Sequence, residues 1–390
     1  MRAAFFNPHF YIWSFFLFNL FGFSFTFKAE NGLPHGLFYS MAGGYLFYVF
    51  VSFALRKKNA APCNVVFLNK NINFINPTLL FASTLAVIAM LMKAGVSPLA
   101  YIQNLNYYRL NVNNDVGHLK IIINLFSLVT TAQLLRKRNK INIFYFMISC
   151  VFNIFFAYRF AMAFAVFSIY LHVLYMRKEG SFKFILYPIL FVIAFSIFAL
   201  WRDFNYGGNG ESFLNYYDVT GLYDLLLLLS YHGLFAHFII FYHFDDVLRY
   251  FSEYDNFHYG AEYVLEFLRT IKLGSLFDFG YTIVDRVNAH INGVSIETHL
   301  SGKSGGVVLG IAGSGFLAGG YTGIFVLTFG WCICVHAALN RYKAGAVNSL
   351  VLFPYLLMVF QSPETNIARI LFFMIAFFII NCALELVPRK

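Results

Sequence analysis

Apolar runs of 16–20 residues recur along this chain, and that recurrence restricts the fold more than any other feature. Each run is long enough, or nearly so, to cross the roughly 30 Å hydrocarbon core of a bilayer as a helix. In lipid every backbone N–H and C=O needs an internal partner, so such a chain is expected to be all-α, a polytopic helical bundle. Ten spans are read, at about 10–27, 35–55, 76–93, 119–135, 141–158, 160–176, 183–200, 320–338, 346–361 and 370–386; the ambiguous segments widen the range to 10–12. Charged residues make up only 12% of the 390 positions, about half the share of an average soluble domain. The first run is followed by no small-residue cleavage site and is flanked by Arg2 alone, so the expectation is a retained span.

Basic residues in the short connections set the orientation. With the N-terminus inside, the cytoplasmic segments collect 16 of the 28 Lys and Arg, among them Arg56, Lys57, Lys58, Arg136, Lys137 and Arg138, against two acids, Glu179 and Glu385. Ten spans return Arg389 and Lys390 to the same side. The net charge of +10 is then a topology signal and implies no nucleic-acid partner.

Between 201 and 306 the apolar runs largely stop, and Asp, Glu, Arg, His and Tyr take their place. This reads as one large external loop, the kind of segment that carries chemistry on a rigid scaffold. The chain divides into a seven-span region 1–200, a loop region 201–319 with a glycine-rich re-entry, and a three-span region 320–390. Within the loop, 222–242 is long enough to span but carries Asp224, His232 and His237; an external helix at the interface is the preferred reading. None of the five cysteines lies in an external loop, so no disulfide framework is implied. Cys332 and Cys334 stand two apart within a span and face different sides of a helix, which argues against a shared metal site.

Arginines at the outer membrane edge are the first candidates for chemistry. Arg159 sits in a near-absent turn between two spans, Arg202 follows Trp201 at the end of another, Arg369 heads the last, and Arg109 lies in the 94–118 loop. The positive-inside bias disfavours arginine there, so each needs a reason. One such residue snorkelling to lipid phosphate is ordinary; four from four segments point to a shared anion. The planar guanidinium fork suits phosphate oxygens and stays charged when buried, and a pyrophosphate at the membrane surface is the natural ligand. Arg286 and Arg249 in the large loop stand behind these. For a general base, Glu297 and His299 form the only Glu-x-His pair, beside a run holding nine of the 28 glycines between Gly302 and Gly323. That glycine density suits close backbone approach, a re-entrant turn or tight helix packing. Glu364 is a third candidate, in the turn before Arg369, which it can orient. No ligand spacing selects a metal, and none is assigned.

The run of spans, the tight outer turn with Arg159, the stretch GIAGSGFLAGGYTGIF entering a span and the terminal SPETNIAR turn together resemble the O-antigen polymerases of the Wzy type. The resemblance implies a bacterial inner-membrane glycosyltransferase of the GT-C class that uses undecaprenyl-pyrophosphate-linked oligosaccharides as donor and acceptor at the periplasmic face. It implies no cofactor, no nucleotide sugar and a chain-length regulator as partner, with membrane lipid around the bundle. Arg159, Arg202, Arg369, Arg286, Arg249 and Arg109 would hold pyrophosphate, and Glu297, His299 or Glu364 would serve catalysis. The first external loop carries Glu30 alone, which departs from GT-C enzymes that use monophosphate-linked donors and carry acidic pairs there. An O-antigen ligase shares the general plan and is the runner-up, kept open by His299. A flippase of lipid-linked sugars would call for charges inside the spans, where this chain has almost none.

Overall fold

The computed structural model describes residues 5–26, 35–55, 75–103, 119–155, 159–176, 218–230, 244–254, 257–270, 281–298 and 309–386, with isolated positions between 186 and 215. The described chain is all helical. Its helices are α1 (Pro8–Thr26), α2 (His35–Leu55), α3 (Ile75–Ala94), α4 (Pro98–Gln103), α5 (Leu119–Arg136), α6 (Lys140–Phe155) and α7 (Arg159–Met176). In the expected loop region lie α8 (Leu222–Ser230), α9 (Phe244–Tyr254), α10 (Ala261–Thr270), α11 (Ile283–Ile291) and the single turn α12 (Ile296–Thr298). Finally come α13 (Gly310–Lys343), α14 (Val347–Met358) and α15 (Pro363–Leu386).

Among the described residues, five helices are long and apolar enough to cross a membrane: α2, α3, α5, α13 and α15. Shorter apolar helices are α6, α7 and α14. Every expected apolar run coincides with a described helix except 183–200, which lies mostly outside the described residues. Of the 222–242 segment, α8 is helical and the remainder lies outside them too. These apolar helices mark a membrane protein that is all helical among the described residues.

Two helices differ from the expected limits. The last helix begins at Pro363, so Glu364 and Arg369 both lie inside it, in its first two turns. The run expected from 320 begins ten residues earlier, at Gly310, and breaks at Gly319 and Gly320. Gly320 has φ 63° and ψ −148°, a conformation open essentially to glycine alone. The break folds 310–318 back against the start of the long arm: a Cβ on Gly315 would lie 2.7 Å from Ile324 Cα, and one on Gly323 would collide with the Gly315 carbonyl. The glycine-dense run thus serves close backbone approach.

The long arm of α13 is the axis of the bundle. Along α2 the approach is again backbone to backbone, since a Cβ on Gly44 would stand 2.8 Å from the Phe325 carbonyl oxygen. A polar pair pins this interface, with Tyr48 Oη and His336 Nδ1 2.8 Å apart; toward α14, Trp331 Nε1 donates to the Leu356 carbonyl at 2.8 Å. On the other flank, Asn76 donates to Gln133 between α3 and α5. Cys332 is buried and Cys334 exposed, on different faces as their spacing requires. Between α13, α14 and α15 an apolar cleft of about 800 Å³ is lined by Trp331, Leu352, Leu356, Ile370 and Phe377.

Helices α9, α10 and α11 are amphipathic. In α9, Phe244, Val247 and Tyr250 are buried at a helical period, while Arg249 and Glu253 are exposed. In α11, Thr282 caps the N-terminus in a reciprocal box with Asp285. Replacing Gly315 with Ala inserts a Cβ into the hairpin's backbone contact and is expected to destabilise by about 1–3 kcal/mol. Gly330→Ala, where nothing lies within 4 Å, serves as the control; thermal unfolding of both variants in nanodiscs makes the comparison.

Candidate functional site

The site is built around the first turn of α15. Arg369 is half-buried and lies close to Tyr355 of α14. Tyr355 in turn packs edge-on against Phe164 of α7, with ring centroids 4.6 Å apart. One turn further along the antiparallel pair, Ser168 Oγ donates to the Leu350 carbonyl at 3.0 Å. Five residues the other way from Phe164, about one and a half turns, stands Arg159, the first residue of α7. At 1.5 Å per residue, this register sets Arg159 level with the turn 359–362 that precedes Glu364. Arg159, Arg369 and Glu364 thus come to one end of the bundle from helices far apart in sequence.

Glu364 is buried. The Ser314 hydroxyl, from the short arm of α13, lies beside its carboxyl, and Glu262 and Glu266 of α10 are close enough to interact with it. That arm is held in place by two backbone bonds: His258 N–H donates to the Leu317 carbonyl at 3.0 Å, and Ile311 N–H to the Phe360 carbonyl at 2.9 Å. Phe316 closes its other side, at 5.7 Å from Phe244 and 5.3 Å from Phe251. The first bond carries His258 into the cluster. Its ring meets Tyr263 edge-on at 5.7 Å, and the Tyr263 phenol feels the charge of Glu364.

Among the buried side-chain atoms with no hydrogen-bond partner in the described residues are Ser314 Oγ, Glu364 Oε1, Tyr263 Oη and His258 Nε2. The protonation of two follows from their surroundings. Gly260 N–H donates to His258 Nδ1 at 3.0 Å, so the neutral ring carries its proton on Nε2. Burial keeps the ring neutral, lowering its pKa from 6.5 to about 4. Burial, then the carboxylates Glu364 and Glu262, hold the Tyr263 phenol well above its ordinary value. The turn bearing His258 is itself constrained, with Tyr259 at φ 46° and Gly260 at φ 87°.

The loop candidates stand differently. Arg249 and Arg286 are exposed on α9 and α11; Arg286 lies near Tyr250, whose phenol burial pushes up and Arg286 draws back down. Glu297 is exposed on the single turn α12. His299, Arg202 and Arg109 lie outside the described residues, and of Arg159 only the backbone position is described. Among the described residues no group of three metal-binding side chains comes together. His258 and Ser314 were not evident from the sequence. Ser314 sits within the glycine-rich run that drew attention, but His258 carries no local signal. No family model matches the chain, and no curated protein or solved structure matches it.

Because His258 is held neutral when folded, unfolding takes up a proton between its ordinary pKa of 6.5 and about 4. Its contribution is intact above 6.5 and is lost as pH falls through that window. His258→Gln is therefore expected to flatten the fall in unfolding temperature between about pH 7 and pH 5. Identical slopes for the two proteins would show that His258 titrates normally.

Proposed function

We propose that this chain polymerises polysaccharide repeats, transferring a growing undecaprenyl-pyrophosphate-linked glycan onto the next lipid-linked repeat at the outer face of a bacterial inner membrane. The observation that carries the reading is the convergence of Arg159 and Arg369 with the buried Glu364 at one end of an apolar bundle. An apolar bundle suits a polyprenyl-anchored substrate, cations at its rim suit a pyrophosphate, and a carboxyl beside them suits a hydroxyl nucleophile.

In the reaction a sugar hydroxyl of the acceptor attacks the anomeric carbon of the donor glycan. A new C–O bond forms as the anomeric bond to pyrophosphate breaks. Undecaprenyl pyrophosphate leaves with the bonding pair, and the hydroxyl proton passes to a carboxylate. Arginine near the leaving group stabilises the charge that develops on it. Glu364 is favoured over Glu297 for the proton, since its burial fixes its position while Glu297 stands exposed. The ten-span topology, with both termini cytoplasmic and residues 201–306 periplasmic, belongs to the same proposal.

Arg159→Ala and Arg369→Ala are each expected to lower polymerisation about 100- to 1000-fold, the loss typical of removing one charge-stabilising donor. The readout is the lipopolysaccharide ladder of cells expressing each variant at wild-type level. Retention of a single repeat with loss of the ladder supports polymerase action; a normal ladder from both variants sinks the clamp. Loss of all O-antigen with lipid-linked polymer accumulating points to a ligase.

A further inference from the structure

The four unpartnered atoms around Glu364 go beyond a proton acceptor. They come from three segments: the turn 257–260 with the start of α10, the short arm of α13, and the first turn of α15. Buried polar atoms in folded proteins are satisfied almost without exception, by protein, water or ligand. A single orphan is commonplace; four linked pairwise, Ser314 to Glu364, Glu364 to Tyr263 and Tyr263 to His258, mark a place where something polar can sit. Two of the four are themselves nine-tenths buried or more, Ser314 and Glu364. Tyr263 is only partly buried.

The chemistry of the four atoms selects the occupant. The imidazole N–H and the phenol O–H are uncharged donors, the carboxylate accepts, and the serine hydroxyl does both. A phosphate would meet the acidic groups Glu364, Glu262 and Glu266 together, and a metal ion would meet two donor hydrogens. Adjacent hydroxyls on a sugar ring each donate and accept, which matches an alternating set of donors and acceptors. Neutral donors also fit: His258 is kept from charging by burial.

We propose that Ser314, Glu364, Tyr263 and His258 form a pocket for one hydroxyl-bearing edge of a neutral sugar. On the function proposed above, that sugar is the terminal residue of the acceptor. Tyr263 and His258 orient the ring by donating to its oxygens, and the hydroxyl held between Ser314 and Glu364 is the one that reacts.

The test needs no turnover. Purified full-length protein in nanodiscs is treated with a carbodiimide, and modification of Glu364 is read by mass spectrometry, with Glu364→Gln as the blank. The competitors are glucose, galactose, N-acetylglucosamine and rhamnose, with inorganic pyrophosphate alongside. At least one sugar is expected to protect Glu364, and Tyr263→Phe to weaken that protection about fivefold or more while leaving labelling itself intact, the loss expected from deleting one hydrogen bond. Failure of every sugar, protection by pyrophosphate instead, or protection unchanged in Tyr263→Phe overturns the pocket. Polymerisation lost in the arginine variants without sugar protection refutes the pocket and spares the polymerase reading. Sugar protection alongside normal ladders in those variants does the reverse.

Discussion

The contact of Gly315 with residues 323–324 is the constraint on which the end of the bundle carrying the candidate site depends. Two stretches of helix lie there with no side chain between them, and only a break at Gly320 in a glycine conformation lets the chain turn sharply enough. The returned arm offers the Leu317 carbonyl to the His258 turn and takes the Phe360 carbonyl on Ile311. It thereby ties the middle of the chain to the start of the last helix. Without the hairpin, Ser314 and Glu364 would have no common location.

The first turns of α15 then sort the polar groups. Five residues separate Glu364 from Arg369, or roughly 140° around a helix at 100° per residue. Glu364 faces Ser314 and α10, while Arg369 lies toward Tyr355 and so toward α7. A carboxyl and a guanidinium on one short element are kept from neutralising each other and serve two separate surroundings. Under the function proposed above, that division would put the group handling a hydroxyl and the group handling an anion on different flanks of one helix.

Much of the architecture was legible in the chain. A helix in lipid satisfies its own backbone, so its presence shows as a long apolar run, and α2, α3 and α15 lie where such runs stand. Glycine density likewise announced close approach. The hairpin's actual fold was less legible, because 310–318 is apolar in either a straight or a folded arm. Arg369 and Glu364 were visible as unusual charges at a span's edge. His258 and Ser314 were not, since an isolated histidine in a polar stretch and a serine among glycines look ordinary until tertiary contacts bring them together. Glu297 drew notice through its spacing from His299, whereas burial is what distinguishes Glu364.

The pairing of Tyr48 with His336 spans 288 positions, and that of His172 with Tyr342 spans 170. Neither can form until nearly nine-tenths of the chain has left the ribosome. Until then α2 waits in the bilayer with Gly43, Gly44 and Tyr48 facing lipid or temporary neighbours. The central helix α13 therefore completes its contacts with α2 and α7 only after those helices have been made. A ribosome stalled before residue 336 would leave a set of inserted helices without the element that gathers them.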